Sequence, residues 1–142
     1  MRIMLLLAGL LAVAAPVAAQ DRSPALRQAL LDLAYVLGES HALRQACQGE
    51  ADQYWRARMI RLVEVEAPDT ALEGRLRQSF NTGFATRRSG FPACSPASRQ
   101  AEAAVAARGR VLAAGLAQAL RGVPPADRDV PAEPIAEPQP PR

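Results

Sequence analysis

The side chains best suited to acid–base or nucleophilic chemistry are concentrated between Leu33 and Met59. This stretch holds the one histidine of the chain, His41, its one tryptophan, Trp55, and the first of its two cysteines, Cys47. A histidine next to a thiol or a carboxylate can act as a general base. Six positions along a helix, however, turn two side chains about 120° apart, so we do not expect a dyad of His41 and Cys47.

The enzymatic interpretation of the chain is a small hydrolase in which His41 works with Glu39, Glu64 or Glu66. The sequence contains no second histidine, no His-Glu-x-x-His pattern, no cysteine cluster and no glycine-rich phosphate loop. We therefore assign no catalytic residue, no metal site and no cofactor. His41 continues the Leu33 and Leu37 side of a helix, and this position predicts a hydrogen-bonded group in the core.

The two cysteines, Cys47 and Cys94, are expected to form one disulfide bond in an exported domain. The bond would connect the end of the first helix to the start of the fourth. A closed loop of this length stabilises by about 4 kcal/mol on the chain-entropy model. The alternative is a reactive Cys94 at a helix N-terminus, which is disfavoured because the chain has no Cys-x-x-Cys motif.

A buried polar cluster of His41, Arg44 and Glu66 is a second candidate site. Arg44 falls within the apolar side of the first helix, and Glu66 falls within that of the second. Because buried charges need partners, we expect Arg44 and Glu66 to pair, with His41 beside them. The alternative is that both lie beyond the packed parts of their helices and reach water.

The second helix carries a candidate binding surface composed of Tyr54, Trp55, Arg58 and Arg61. All basic residues of the chain are arginines, and the expected helical domain has a net charge of about +4. Such a surface suits an acidic cell-envelope protein or an anionic membrane surface. The alternative is a solvated face that neighbouring acidic residues partly neutralise. Export argues against a nucleic-acid partner.

Helix caps and apolar periodicity predict four helices that position these residues. The expected starts are Ser23-Pro24, Asp52, a capping box from Thr70 to Glu73, and Ser95-Pro96. The expected ends are Gly49, the residues before Pro68, Gly90 and Gly122. No segment shows the period-two alternation of a strand. The sequence therefore predicts an all-α fold, a small four-helix bundle with one interhelical disulfide.

The distribution of small and polar residues predicts how these helices pack. Gly83 lies beside Phe80 and Phe84 on the third helix, where it permits close approach of a neighbouring backbone. On the first helix, the polar face opposite the leucines is expected to consist of Gln28, Asp32 and Glu39. The fourth helix has mostly small residues on its apolar side, so we expect it to lie close to its neighbours.

Both ends of the chain have the composition of segments outside the folded domain. Residues 1–19 have the pattern of a signal peptide, with Arg2, an apolar run and Val17-Ala18-Ala19, so we expect cleavage after Ala19. Residues 20–23 form a short lead, 24–121 the helical domain, and 122–142 a proline-rich tail expected to be disordered. The mature protein is expected to be periplasmic and to retain no transmembrane helix.

Two sequence blocks carry a resemblance to a known family. They are LAYVLGESHALRQACQG at 33–49 and DQYWRARM at 52–59, with the shorter EAPD, FNTGF and FPAC downstream. The chain resembles a family of small exported alphaproteobacterial proteins known only as a domain of unknown function. The resemblance implies an exported helical domain and assigns no activity. From the residues, we favour a non-catalytic module that binds or scaffolds a cell-envelope component, with the oligomeric state open.

Overall fold

The computed structural model describes residues 22–122, which form four α-helices. The helices are α1 (Pro24–Gln48), α2 (Tyr54–Glu66), α3 (Thr70–Gly90) and α4 (Pro96–Gly122). The expected all-α fold of four helices is confirmed. The expected signal peptide and nearly all of the expected tail lie outside the described residues.

Both expected serine–proline helix starts, at α1 and α4, are confirmed. The Ser23 hydroxyl accepts a hydrogen bond from the Leu26 amide at 3.2 Å, immediately before the proline that begins α1. At α4, the Ser95 hydroxyl accepts from the Ser98 amide at 3.0 Å, and the Ser98 hydroxyl accepts from the Ser95 amide at 2.8 Å. This reciprocal pair satisfies two backbone amides that the helix itself leaves unpaired.

The other two expected helix starts need correction. The capping residue of α3 is Asp69, whose carboxylate accepts from a first-turn amide at 2.7 Å, and Thr70 is already helical. Aspartate is a good capping residue, and Asp69 has the extended backbone that this position requires. At α2 the capping position is Gln53, which makes no side-chain cap, while Asp52 accepts from the Tyr54 amide at 3.2 Å.

The first helix, α1, is the centre of the fold, because α2, α3 and α4 each pack against it. The main core joins leucines of α1 and α3 to Met59 of α2 and Leu116 of α4. A smaller cluster of Val36, Leu43 and Val105 joins α1 to α4. Between residues 22 and 122, no helix combines the length and the apolar character needed to cross a membrane.

The central position of α1 overturns one expectation about its polar face. Gln28 and Asp32 are exposed as expected, but Glu39 is only 2% exposed. The polar face expected from periodicity is free only near the start of α1, because α3 and α4 cover it further along. A helix covered on several sides can bury residues from most of its circumference.

The backbones of α1 and α3 approach each other closely at Gly38 and Gly83. A Cβ atom on Gly38 would overlap the carbonyl oxygen of Phe80, and one on Gly83 would overlap the carbonyl oxygen of Tyr35. Each glycine therefore faces the backbone of the opposite helix. The expected close approach at Gly83 is confirmed, and Gly38 is its counterpart on α1.

Candidate functional site

The expected disulfide between Cys47 and Cys94 is confirmed. The sulfur atoms are 2.00 Å apart and the Cα atoms 4.5 Å apart. The bond connects the last turn of α1 to the loop that leads into α4. The Cys47 sulfur also lies 3.8 Å from the hydroxyl of Ser98, the residue that completes the α4 cap. The crosslink and the cap therefore form one unit at this end of the fold.

The expected pair of Arg44 and Glu66 is wrong. The Arg44 Nε donates to both carboxylate oxygens of Asp52, at 3.0 and 2.9 Å. Glu66 pairs with Arg22 instead, at 3.4 Å. The reason is that α2 runs antiparallel to α1, so Glu66 lies near the start of α1 and Arg44 near its end. The 13 residues of α2 separate these two ends by roughly 20 Å.

His41 lies inside the fold, where it is 4% exposed. Its ring is 5.7 Å from the ring of Phe80 and 5.3 Å from that of Phe84, measured between centroids. Burial lowers the pKa of His41 below 6.5, as does the charge of Arg56, while Asp52 acts weakly in the other direction. Its Nδ1 atom is enclosed without a hydrogen-bond partner among the described residues, so the expected hydrogen bond at that atom is not present.

Glu39 is a buried carboxylate, and sequence reasoning missed its role. Its side chain is 3% exposed and forms ion pairs with Arg87 of α3, at 2.8 Å, and with Arg108 of α4. Periodicity gave no signal of this burial, and a buried glutamate requires cationic partners. Which arginines would supply them depends on the packing of α3 and α4 around α1.

The carboxylates that the hydrolase interpretation requires are all engaged by arginines. Glu39 is held by the arginines of α3 and α4, Glu66 by Arg22, and the exposed Glu64 by Arg61 at 3.3 Å. Between residues 22 and 122, no three histidine, cysteine or acidic side chains cluster in a way that could hold a metal ion.

The structure brings Tyr54, Trp55 and Arg58 into one cluster on α2. The Arg58 guanidinium carbon lies 3.4 Å from the centre of the Tyr54 ring and 5.5 Å from that of Trp55. The Arg44 guanidinium also lies over Tyr54, at 4.7 Å, and Trp55 meets Tyr54 edge-on at 5.0 Å. Arg61 is exposed beside them. We call Tyr54, Trp55, Arg58 and Arg61 the aromatic–arginine surface.

The turn between α1 and α2 fixes the position of this surface. The buried Gln45 donates from its amide nitrogen to the carbonyl oxygens of Glu50 and Asp52, at 2.9 and 3.1 Å. Because Asp52 in turn binds Arg44, the start of α2 is tied to the end of α1. Tyr54 is thereby held under the guanidinium groups above it.

Arginines without a described carboxylate partner occur on α2, α3 and α4, and two of them, Arg58 and Arg110, matter for the surfaces described here. Residues 22–122 carry fourteen arginines and nine acidic residues, a net charge of +5. Ion pairs with described carboxylates are formed by Arg22, Arg44, Arg61, Arg77, Arg87, Arg88 and Arg108. Arg58 of α2 and Arg110 of α4 form none with the described carboxylates.

A mostly apolar groove of about 290 Å³ lies between α2 and α4. We call it the α2–α4 groove. Its lining residues are Leu33, Val36, Leu37 and Ser40 of α1, Trp55 of α2, and Ala106, Gly109, Arg110 and Ala113 of α4. Trp55 therefore belongs both to the aromatic–arginine surface and to the wall of this groove.

A comparison with known proteins places the chain in a family. A family model described as "Protein of unknown function (DUF2385)" matches residues 26–120, from the first turn of α1 to the last turn of α4. No curated protein and no solved structure matches the chain significantly. The matched segment contains the disulfide, the aromatic–arginine surface and the α2–α4 groove. The chain therefore belongs to the DUF2385 family of proteins of unknown function.

Proposed function

We propose that this protein is a non-catalytic binding module of the cell envelope, exported to the periplasm after cleavage behind Ala19. Its aromatic–arginine surface binds an anionic membrane surface. The observation that carries the proposal is the Arg58 guanidinium, which lies 3.4 Å from the centre of the exposed Tyr54 ring and has no described carboxylate partner.

An arginine held in this way is prepared for an external anion. The Tyr54 ring restricts the guanidinium, so less conformational entropy is lost when a phosphate or carboxylate binds. Because no described carboxylate neutralises Arg58, its charge remains available to a partner. Tyrosine and tryptophan next to arginine are also typical of the membrane–water interface.

The burial of His41 supports binding over hydrolysis. A general base must come within hydrogen-bond distance of the group that it deprotonates. His41 is enclosed by Phe80 and Phe84, and the carboxylates considered as its partners are paired with arginines.

Vesicle co-sedimentation tests the binding proposal. We expect the oxidised mature chain, residues 20–142, to bind vesicles containing phosphatidylglycerol, and to bind less as salt increases. Vesicles of phosphatidylcholine alone should retain little of it. Arg58→Gln should weaken binding to the anionic vesicles about fivefold, since a basic residue at such a surface contributes about 1 kcal/mol.

Arg75→Gln is the matched control, because Arg75 is an exposed arginine on α3 and its replacement changes the net charge equally. If Arg58→Gln and Arg75→Gln lose binding equally, the effect depends only on net charge. That result would refute binding through the aromatic–arginine surface. If anionic vesicles fail to bind while an acidic envelope protein is captured through Arg58, the surface binds a protein and the membrane proposal is wrong.

Export is tested separately. Fractionation of cells expressing the full chain should recover the protein in the periplasm, and N-terminal sequencing should begin at Gln20. Recovery of an uncleaved chain in the cytosol would refute the localisation.

A further inference from the structure

The α2–α4 groove exists because two helices pack on α1 and leave a gap between them. Its floor consists largely of aliphatic side chains of α1, including Leu33 and Leu37. On the α4 side, the wall contains Ala106, Gly109 and Ala113, whose small side chains leave the space open. Covering this apolar lining with hydrocarbon would be favourable, because it removes the lining from water.

Unneutralised positive charge lies beside this apolar lining. Arg110 itself lines the groove, and no described carboxylate pairs with it. On α2, one side of the helix faces α3, because Arg56, Met59 and Ile60 line a cleft shared with that helix. Arg58 lies on the opposite side of α2, which is turned towards α4. Two guanidinium groups without described carboxylate partners therefore lie on the groove side of the fold.

The lining discriminates among possible occupants. An extended peptide would bring backbone amides and carbonyls that need hydrogen-bond partners. The lining offers only the side chains of Ser40 and Arg110 for this purpose, because the indole nitrogen of Trp55, which also lines the groove, is itself enclosed. A hydrocarbon chain has no such requirement. A neutral hydrocarbon, however, would leave both arginines without an anion, whereas an acidic head group would pair with them.

We infer that the α2–α4 groove binds a single aliphatic chain with an acidic head group, of the class of medium-chain fatty acids. The chain lies against the α1 floor, and the head group lies at Arg110 within reach of Arg58. A volume of about 290 Å³ is at the lower end of ligand sites, which fits one chain. This inference deepens the proposed function, because it names a ligand class for the site that adjoins the membrane-binding surface.

Trp55 provides a direct test, because it is the only tryptophan and lines the groove. Decanoate would be titrated into the oxidised mature chain below its micelle concentration, with Trp55 emission as the readout. We expect a saturable change at one ligand per chain. Decanol, which has the same chain length and no charge, should bind about tenfold more weakly, because it lacks the charge-assisted contact.

Two variants separate the chain contact from the head-group contact. Ala113→Phe fills the groove and should abolish the response to both ligands, while Ala114→Phe, at an exposed neighbouring position outside the lining, should leave it unchanged. Arg110→Gln should weaken the binding of decanoate about tenfold and leave the binding of decanol unchanged. Because Arg110 is exposed, this variant is not expected to disturb folding. An absent saturable response, or equal loss in Ala113→Phe and Ala114→Phe, would overturn the inference.

Two further measurements separate the groove ligand from a rival occupant and from the membrane surface. If decanoate changes Trp55 emission only after residues 123–142 are removed, the groove is occupied by the chain's own C-terminal segment and the inference is wrong. Ala113→Phe should still bind anionic vesicles, and Arg58→Gln should bind them weakly. A native chain that binds anionic vesicles without responding to decanoate refutes the groove ligand alone, and the reverse result refutes only the membrane surface.

Discussion

At the scale of single residues, Glu39 and His41 show two ways of accommodating an ionisable group in the same buried part of α1. Glu39 forms ion pairs with Arg87 and Arg108, which compensate its charge. His41 lies against the rings of Phe80 and Phe84, and burial favours its neutral form. Both outcomes follow from the free-energy cost of burying an uncompensated charge.

His41 is expected to make stability depend on pH in one direction. Its folded-state pKa is lowered from 6.5, so the unfolded chain takes up a proton first as the pH falls. The contribution of His41 to the free energy of unfolding is therefore constant above about pH 6.5. It decreases as the pH falls from there towards the folded-state pKa. Urea unfolding would be measured at about pH 7.5 and about pH 5.5. Between these two values the free energy of unfolding should decrease more for the native chain than for His41→Gln.

The pKa of His41 can be measured independently of stability, because His41 is the only histidine. Its imidazole resonances can be followed by NMR across the same pH range without ambiguity of assignment. A folded-state midpoint at or above 6.5 would contradict the burial argument.

At the scale of elements, the contact between α1 and α3 depends on the absence of two side chains. Gly38 and Gly83 each allow the opposite backbone to approach, and Leu76 and Ala34 are fully buried in the same interface. Glycine normally weakens a helix interior, so its presence here is explained by packing and not by helix propensity. The same argument does not apply to Gly74, whose added Cβ would meet nothing.

This contrast predicts opposite effects for one type of substitution. Gly38→Ala and Gly83→Ala should each lower the unfolding free energy by about 1 to 3 kcal/mol, because the added methyl group forces the helices apart. Gly74→Ala should raise it by about 0.5 to 1 kcal/mol, because alanine favours the helix and nothing obstructs it. Chemical denaturation followed by circular dichroism measures all three. Stabilisation by all three substitutions would show that α1 and α3 do not cross this closely.

At the scale of the whole molecule, the disulfide ties the end of the central helix to the start of the last one. Cys47 and Cys94 are 47 positions apart, and the loop between them contains all of α2 and α3. The ion pair of Glu39 with Arg108 also joins α1 to α4. A crosslink in this place restricts the unfolded chain over almost half of the described residues.

Reduction of the disulfide should lower the unfolding free energy by about 4 kcal/mol, the loop-closure value for this separation. Urea denaturation with and without reductant, followed through Trp55 emission, measures the difference. The double variant Cys47→Ala/Cys94→Ala should match the reduced protein and should not respond to reductant. A native chain whose midpoint is unchanged by complete reduction would refute a stabilising role.

Much of the fold could be predicted because helix boundaries depend on neighbouring residues. Serine–proline pairs predicted the starts of α1 and α4, and Gly49 and Pro68 predicted the ends of α1 and α2. The error at Thr70 was of the same local kind, since Asp69 next to it is an equally suitable cap. Periodicity and caps operate within one turn of helix, so they can be recognised without the tertiary structure.

Partners across helices could be predicted only where the chain offered no choice. With two cysteines there was one possible pairing, and it was correct. For Arg44 there were nine acidic residues in the described part of the chain, and apolar periodicity selected Glu66 although Asp52 is its partner. Periodicity gives the direction of a side chain around its own helix and contains no information on which end of the next helix lies beside it.

The amino-acid sequence by itself therefore determined four helices, the disulfide and the cluster of aromatic and basic residues at the start of α2. Only the tertiary structure decided that α1 is enclosed, that Glu39 is buried between Arg87 and Arg108, and that a groove remains between α2 and α4. The physical reason is the distance along the chain over which each interaction acts. Capping and periodicity act between neighbours in the chain, whereas burial, ion pairing and cavities depend on which surfaces distant segments bring together.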